Sequence, residues 1–180
     1  MKIEDDFLDQ ESFRVLQENL MGNNLPWFYG DRIVFKDDED KFQFVHVFHY
    51  GTIRGKTIQN SAPVTETFPT VLPILDIIQP FSIAKIRAKL LPRTPEITES
   101  SFHTDIGGMP EEKLKQWTTA IFYVNTNNGY TKFEDGTKVE SVANRMLSFP
   151  ANMKHCGSSC TDEKRRIVIN LNYFENIPKE

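Results

Sequence analysis

The pair His103 and Asp105 has the residue types and the spacing of a metal-binding edge. It lies in the stretch SFHTDIGG and is followed closely by two adjacent glycines. In an extended chain, residues i and i+2 point the same way, so both side chains can reach one ion while Thr104 points elsewhere. A site of this kind needs at least one more ligand from another part of the chain.

The third ligand is predicted to be His155. It follows the apolar segment RMLSF and the loop PANMK, a position that presents a side chain at the rim of a sheet. His46 and His49 are predicted to lie on opposite faces of one strand, so they cannot chelate one ion together. We expect His46, which alternates with phenylalanines, to lie in the core or a pocket wall, and His49 to lie at the surface.

Arg166 stands eleven residues after His155, at the head of the apolar segment RIVINLNYF. A cation in a buried strand needs an anionic partner, because an unpaired buried charge is costly. Two interpretations are open at this point. Arg166 could pair with a carboxylate side chain at the sheet edge, or it could bind a carboxylate of a ligand, which suits the planar guanidinium.

Two imidazoles and one carboxylate would fill three positions of an octahedral ion and leave three open. This ligand set is typical of non-haem Fe(II) oxygenases, whereas structural zinc has a closed shell of four protein ligands. Two of the open positions can accept a chelating 2-oxo acid, and the third can accept dioxygen. The residue types therefore favour an oxidative metal site.

With these residues the chain resembles the 2-oxoglutarate and Fe(II)-dependent dioxygenases, in particular their prolyl-hydroxylase-like branch. The resemblance rests on His103-x-Asp105, on His155 about fifty residues later and on Arg166. It covers roughly residues 83–174. The segment TAIFYVNTNNGYTKFEDGTKVESVANRMLSF is similar to the strand, glycine turn and strand of that branch.

The resemblance implies a role for each of these residues. His103, Asp105 and His155 would hold Fe(II). Arg166 would bind the distal carboxylate of 2-oxoglutarate, and Tyr123 matches a tyrosine that hydrogen-bonds this carboxylate in some members. The implied reaction hydroxylates an unactivated C–H bond with O2 and releases succinate and CO2, with ascorbate as a candidate reductant.

Two local features refine the resemblance. The direct match of RIVINLNYF favours Arg166 over Arg165, which would then face the other side of the strand, although collagen-type prolyl hydroxylases usually carry lysine at this position. The nucleic-acid demethylase branch usually continues its His-x-Asp with Asn-Glu, whereas this chain continues with Ile106 and Gly107. A nucleobase substrate is therefore disfavoured.

The elements that would position the site are mostly strands. Helices are predicted over residues 9–22, with Asp9 as N-cap and Gly22 after the C-cap, and within residues 69–79. Alternating or continuous apolar residues predict strands over 42–50, 82–91, 118–125, 145–149 and 166–174. Turns are predicted at 127–129, 134–136 and 151–152, and residues 106–117 are predicted to form a solvated loop near the metal.

This order of elements predicts a mainly β (α+β) fold, a sandwich or barrel with N-terminal buttressing helices. The resemblance implies that the barrel is a double-stranded β-helix of the jelly-roll or cupin-like kind. We expect one oxygenase domain over residues 1–180. Residues 1–80 would supply helical support and the first strands, and residues 81–175 would form the catalytic core.

The composition is that of a globular protein that works in a reducing compartment. Among 180 residues, 39% are hydrophobic and 12% aromatic, and the formal net charge is -4. There is no apolar run of 18 residues and the N-terminus is acidic, so we expect no signal peptide and no membrane association. Two cysteines are too few for a disulfide framework, which favours a cytoplasmic location. The one short basic cluster does not suggest a surface for duplex nucleic acid.

The primary substrate is not evident from the sequence. A protein side chain, with proline as the first candidate, and a small metabolite both remain open. Two alternatives of other classes also remain: a non-catalytic barrel that binds a ligand or partner, and a cupin-like metalloenzyme that uses no oxo acid. Arg166 is the residue that distinguishes the last alternative, because only a co-substrate with a distal carboxylate requires it.

Overall fold

The computed structural model describes residues 1–34, 41–54 and 57–175, with the backbone alone for 52–54 and 57–61. The helices are α1 (Gln10–Met21), α2 (Leu72–Ile78) and α3 (Glu111–Leu114), and a 3-10 turn at Phe68–Val71 leads into α2. The strands are β1 (Lys2–Glu4), β2 (Phe28–Gly30), β3 (Gln43–Arg54), β4 (Thr57–Pro63), β5 (Ser82–Pro92), β6 (Thr118–Tyr123), β7 (Asn127–Phe133), β8 (Lys138–Ser141), β9 (Arg145–Pro150), β10 (His155–Gly157) and β11 (Arg165–Phe174).

Helix α1 begins and ends close to where the sequence predicts. The Asp9 side chain accepts hydrogen bonds from the backbone N–H groups of Glu11 and Ser12, as an N-cap residue does. Gly22 ends the helix in an extended conformation, not in the left-handed one that usually favours glycine here. A Cβ at Gly22 would approach the Glu18 carbonyl oxygen to 2.6 Å, so close contact explains this glycine.

The second predicted helix is present as the 3-10 turn followed by α2, and proline occupies the first turn of each. Gln79 ends α2 in the left-handed region, with φ of 47°, and Pro80 follows. The longest helix of the described residues is α1, with 12 residues. None of the described helices is long and apolar enough to cross a membrane.

The strands form two antiparallel sheets, in agreement with the predicted double-stranded β-helix. The larger sheet has the order β1-β9-β6-β11-β5-β3-β2, with β4 paired to β3. The smaller sheet has the order β10-β7-β8. Strands β5 and β11 lie at the centre of the larger sheet and pair along almost their whole length, so they are the rigid elements on which side chains can be placed accurately.

Each face of the larger sheet is covered by a different layer. Ile167 and Ile169 of β11 pack in one apolar cluster with Leu16 and Leu20 of α1, which is the buttressing role predicted for the helices. Val168, on the opposite face of β11, belongs to a second cluster that also contains side chains of the smaller sheet. Even-numbered residues of β11 therefore point into the space between the two sheets.

Residues 127–129 form the start of β7, so the predicted turn is wrong at this position. The pairing of β7 with β8 is irregular between Asn127 and Tyr130, which indicates a bulge. A Cβ at Gly129 would lie 2.6 Å from Cδ of Arg166 and 2.7 Å from the carbonyl oxygen of Ser159. The glycine is explained by close packing inside the barrel. The turns predicted at 134–136 and 151–152 are confirmed.

The segment 106–117 was predicted to be a solvated loop, but several of its side chains are buried. Ile106, Met109 and Leu114 are buried and form an apolar cluster with Ala84 and Ala151. Because these apolar side chains point inward, the segment is attached to the barrel beside Asp105. The sequence prediction overlooked this because the same stretch, GGMPEEKLKQW, is dominated by charged and turn-forming residues.

The two histidines of β3 are both buried. His46 is 2% exposed and its ring nitrogens lie 2.7 Å from the Pro26 carbonyl oxygen and 2.7 Å from Oγ1 of Thr67, as expected for a core histidine. His49 is only 6% exposed, so the predicted surface position is wrong. The pairing of β3 with β5 is irregular between Val47 and His49, which interrupts the strict alternation that the sequence suggested.

Candidate metal and co-substrate site

Three side chains predicted from the sequence meet in one place. His103, Asp105 and His155 each offer a ligand atom, and these atoms all lie within 4.8 Å of one another. Short backbone pairing brings the two histidines together, because the N–H of each donates to the carbonyl oxygen of the other at 3.0 Å. The three residues could therefore hold one metal ion between them.

The orientation of both imidazole rings suits metal binding through Nε2. Nδ1 of His103 lies 3.0 Å from the Ser101 carbonyl oxygen, and Nδ1 of His155 lies 3.3 Å from the Met153 carbonyl oxygen. A carbonyl oxygen can only accept a hydrogen bond, so Nδ1 carries the proton and Nε2 keeps its lone pair. The Nε2 atoms face Asp105, at 3.5 Å from Oδ1 and 3.9 Å from Oδ2 respectively.

The Asp105 carboxylate is held in position by two asparagines of β11. Nδ2 of Asn170 donates to Oδ2 at 2.9 Å, and Nδ2 of Asn172 approaches the same oxygen at 3.4 Å. Burial tends to raise the pKa of the Asp105 carboxyl, but attraction to the nearby cations Lys89 and Lys85 holds it well below its ordinary range. The group is therefore ionised, the form in which a carboxyl group binds a metal.

His155 is neutral at physiological pH. Burial lowers the pKa of its imidazole to about 4, and repulsion from His103 and Lys89 acts in the same direction, against the attraction of Asp105. A metal can bind only the neutral form of a histidine ring, so this environment favours metal over proton at Nε2.

Arg166 is buried in the same space, and its partners are hydroxyl groups. Its Nε donates to Oγ of Ser141 at 2.7 Å, and one terminal nitrogen lies 3.4 Å from Oγ1 of Thr131. No carboxylate side chain of the described residues forms an ion pair with it, so the sheet-edge ion pair considered from the sequence is absent from that part of the chain. Burial lowers the pKa of the guanidinium, which reflects a charge without a strong anionic partner.

Tyr123 lies next to this arginine but points to a hydroxyl group. Its O–H donates to Oγ1 of Thr131 at 2.8 Å, and the guanidinium carbon of Arg166 lies 5.7 Å from the centre of the tyrosine ring. Thr131 thus lies between the two. Arg165 faces the other side of β11, as predicted, where it hydrogen-bonds the Met21 carbonyl oxygen at the end of α1.

A narrow cavity joins the metal-ligand cluster to Arg166. Its volume is about 30 Å³, and its lining includes His103, His155, Arg166, Thr131, Asn170, Lys89 and Gln43. A five-carbon diacid would enter only if flexible side chains moved aside, and Lys89 and Gln43 are the long ones that border the space. The sequence prediction missed both, because a lysine or glutamine that alternates with apolar residues normally points to solvent.

The close packing of Gly129 against Arg166 allows a direct test of this arrangement. Gly129→Ala is expected to lower the free energy of unfolding by about 1–3 kcal/mol, because its Cβ would overlap Cδ of Arg166 and a backbone oxygen that cannot move freely. Urea denaturation would measure the change. Gly107→Ala is the matched control, since no atom lies within 4 Å of its Cβ, and it should change stability by less than about 0.5 kcal/mol. Equal stability of the two variants would contradict the packing.

The sequence matches no protein-family model and no curated protein. Solved structures do match the fold. A prolyl hydroxylase from Trichoplax adhaerens, in complex with a hypoxia inducible factor oxygen degradation domain peptide fragment, gives a TM-score of 0.62 at 13% identity, over 97% of this chain and 83% of that chain. A Pseudomonas putida prolyl-4-hydroxylase gives 0.54 at 13% identity, over 97% and 92%.

A non-haem α-ketoglutarate-dependent epimerase from nogalamycin biosynthesis is similar to the same degree, with a TM-score of 0.63 at 11% identity, over 96% of this chain and 76% of that chain. Enzymes of different reaction types thus share this architecture, and identities this low show the fold alone. The chain has the double-stranded β-helix fold of the prolyl hydroxylases and other 2-oxoglutarate and Fe(II)-dependent oxygenases.

Proposed function

We propose that residues 1–180 form a single 2-oxoglutarate and Fe(II)-dependent dioxygenase domain. His103, Asp105 and His155 would hold Fe(II), and Arg166 would bind the distal carboxylate of 2-oxoglutarate. One observation carries the proposal: a buried arginine without a carboxylate partner in the described residues shares a cavity with the two histidines of the metal-ligand cluster. Such an arginine is costly unless a ligand supplies the anion.

The residues present fit this metal and this co-substrate. Two neutral imidazole nitrogens and one carboxylate are the donor set that leaves room for a chelating oxo acid and O2. When bound, the iron centre supplies the oxidising chemistry: one O2 and one 2-oxoglutarate are consumed, one oxygen atom enters the C–H bond of the substrate, and the other enters succinate as CO2 is released. The protein supplies binding, orientation and exclusion of water.

The surrounding side chains have positioning roles in this proposal. Asn170 and Asn172 fix the Asp105 carboxylate, and the Ser101 and Met153 carbonyl oxygens fix the two rings. Tyr123 acts through Thr131, whose hydroxyl lies near the guanidinium of Arg166, so we assign it a supporting part in co-substrate binding. Asparagines and carbonyl groups of this kind set the ligand geometry and typically change metal affinity by about 10–100-fold when removed.

The cavity favours this function over the two alternatives considered from the sequence. A cupin-like metalloenzyme without an oxo acid would leave Arg166 buried and unpaired, and a non-catalytic barrel would not need Nε2 of both histidines facing one carboxylate. The reaction on the primary substrate is proposed to be hydroxylation of an unactivated C–H bond. A protein prolyl residue and a small metabolite are the candidate substrates.

Formation of succinate without any primary substrate tests the proposal. Purified protein supplied with Fe(II), ascorbate, O2 and 2-oxoglutarate is expected to form succinate slowly, because oxygenases of this type turn over at a low rate in the absence of substrate. Succinate would be quantified by mass spectrometry against the same protein without iron and against protein with excess chelator. Succinate at the level of these two controls would contradict the assignment.

A further inference from the structure

Strand β5 carries three cationic side chains on the face that borders the proposed site. Lys85, Arg87 and Lys89 occupy alternate positions and therefore point the same way. Nζ of Lys85 donates to the Asp105 carbonyl oxygen at 3.0 Å, and Nζ of Lys89 lies 4.0 Å from Oδ1 of Asp105. We call these three residues the β5 cation row. Its position is unexpected, because interior strand positions rarely carry charge.

The β5 cation row is short of negative charge. Asp105 is the one carboxylate of the described ranges whose attraction acts on all three residues, while the cations repel one another. Nε of Arg87 is buried and has no hydrogen-bond partner among the described residues. Among the described residues, Asp105 is therefore the shared source of negative charge for the row.

Loading the proposed site would increase this imbalance. The single negative charge of Asp105 would be taken up by the metal dication, and the two carboxylates of 2-oxoglutarate would balance the remaining charge of the metal and Arg166. The β5 cation row would then have no anion left among the described residues. Buried cations of this kind are stable only beside an anion that the protein binds.

A second cavity begins where the row meets Asp105. It has a volume of about 320 Å³ and is lined by Tyr50, Gly51, Ala84, Lys85, Asp105, Ile106, Gly107 and Asn172. This is the size of a small-molecule pocket. It shares Asp105 with the metal-ligand cluster, whereas Arg166 lines the narrow cavity and not this one. Oδ1 of Asn172 is buried there without a hydrogen-bond partner in the described part of the chain.

We propose that the primary substrate is a small molecule with an anionic oxygen-bearing group, a carboxylate or a phosphate, that binds to Lys85, the member of the β5 cation row that lines the second cavity, and to the unpartnered Nε of Arg87 beside it. The inference rests on the proposed function and narrows its substrate class. The anion would neutralise the row, and the unpartnered amide oxygen of Asn172 would accept a hydrogen bond from a neighbouring N–H or O–H of the same molecule. The rest of the substrate would occupy the second cavity, beside Asp105.

Binding of matched probes to protein that cannot turn over tests this inference. The protein would be loaded with Mn(II) and N-oxalylglycine, an analogue of 2-oxoglutarate, so that the metal and Arg166 are both occupied. Calorimetry would then compare hexanoate with hexanamide, N-acetylproline with N-acetylprolinamide, and hexyl phosphate with hexanol. The anionic member of at least one pair should bind at least about ten-fold more tightly, the factor expected for one charge-assisted hydrogen bond.

Substitutions in the β5 cation row test whether these residues cause the preference for the anionic probe. Lys85→Met and Arg87→Met should each reduce it to within about two-fold, and Lys85→Gln, which keeps a donor for the Asp105 carbonyl oxygen, should do the same. Lys164→Met removes an equal charge from an exposed position before β11 and should keep the preference of the parent protein. A carboxylate preference without a phosphate preference would identify the head group, and the reverse result would identify a phosphate.

The outcomes separate this inference from the proposed function. Equal binding of both members of every pair, or no binding of any probe, overturns the inference even if the parent protein forms succinate. A preference that survives in the Lys85 and Arg87 variants overturns it as well. Failure of the parent protein to form succinate overturns the proposed function, and with it the role of the anion as a substrate.

Discussion

His103→Ala is expected to reduce 2-oxoglutarate turnover and metal affinity by more than about 100-fold. Loss of a residue that only orients a metal ligand costs about 10–100-fold, so loss of one of three protein ligands should cost at least the upper value. The remaining pair, Asp105 and His155, cannot fix an octahedral ion with the same three open positions. Calorimetric titration with Mn(II) in the absence of O2 would measure affinity, and succinate formation would measure turnover.

Thr104→Ala is the matched control for this variant. Thr104 lies between the two ligands in the chain, and its hydroxyl makes only a long contact, 3.5 Å, with the Ile106 carbonyl oxygen. Both functions should therefore stay within about two-fold of the parent protein. If His103→Ala retained parent-like metal affinity, the imidazole at this position would not be a ligand and the proposed function would be wrong.

Arg166→Met is expected to raise the dissociation constant of 2-oxoglutarate by about 30- to 1,000-fold. The guanidinium would form a buried, charge-assisted pair with the distal carboxylate, and removal of one partner of such a pair costs about 2–4 kcal/mol. Methionine keeps most of the length of the side chain, so the cavity wall changes little. Calorimetry with Mn(II)-loaded protein would measure the affinity without turnover.

The same variant should not destabilise the ligand-free protein. Arg166 is buried without a carboxylate partner in the described residues, and replacing such a charge with an apolar side chain is often neutral or stabilising. Arg165→Met, on the opposite face of β11, should leave 2-oxoglutarate affinity within about two-fold while it removes the contact to Met21. Unchanged affinity in Arg166→Met would exclude this residue as the co-substrate anchor.

Part of the site could be predicted because side chains two residues apart in an extended chain point the same way. His103 and Asp105 are two residues apart and their side chains meet as predicted, although His103 forms only an isolated bridge to His155 and Asp105 lies in a bend. On β11, the alternation of side chains separates Arg165 from Arg166. The spacing of these residues in the sequence was therefore enough to predict the direction of their side chains. The meeting of His103 with His155 is a long-range contact, and there the resemblance to a known family supplied what local patterns cannot.

The remaining parts of the site were missed for physical reasons. Lys89 has the residue type and spacing of a solvent-facing strand position, and only the second sheet turns that face into an interior. Gly129 was predicted to lie in a turn. Its contact with Arg166 joins residues of two different sheets, and the residues next to Gly129 in the sequence give no sign of it. His49 was misplaced because the irregular pairing after Val47 breaks the alternation on which the prediction depended.

The reciprocal backbone hydrogen bonds between His103 and His155 have a thermodynamic consequence. Two segments separated by about fifty residues are already joined before any ion arrives, so the entropy of closing that loop is lost during folding and not during metal binding. The free energy of coordination is then available almost entirely as affinity. A metal centre organised in this way can exchange its ion while the barrel around it remains folded.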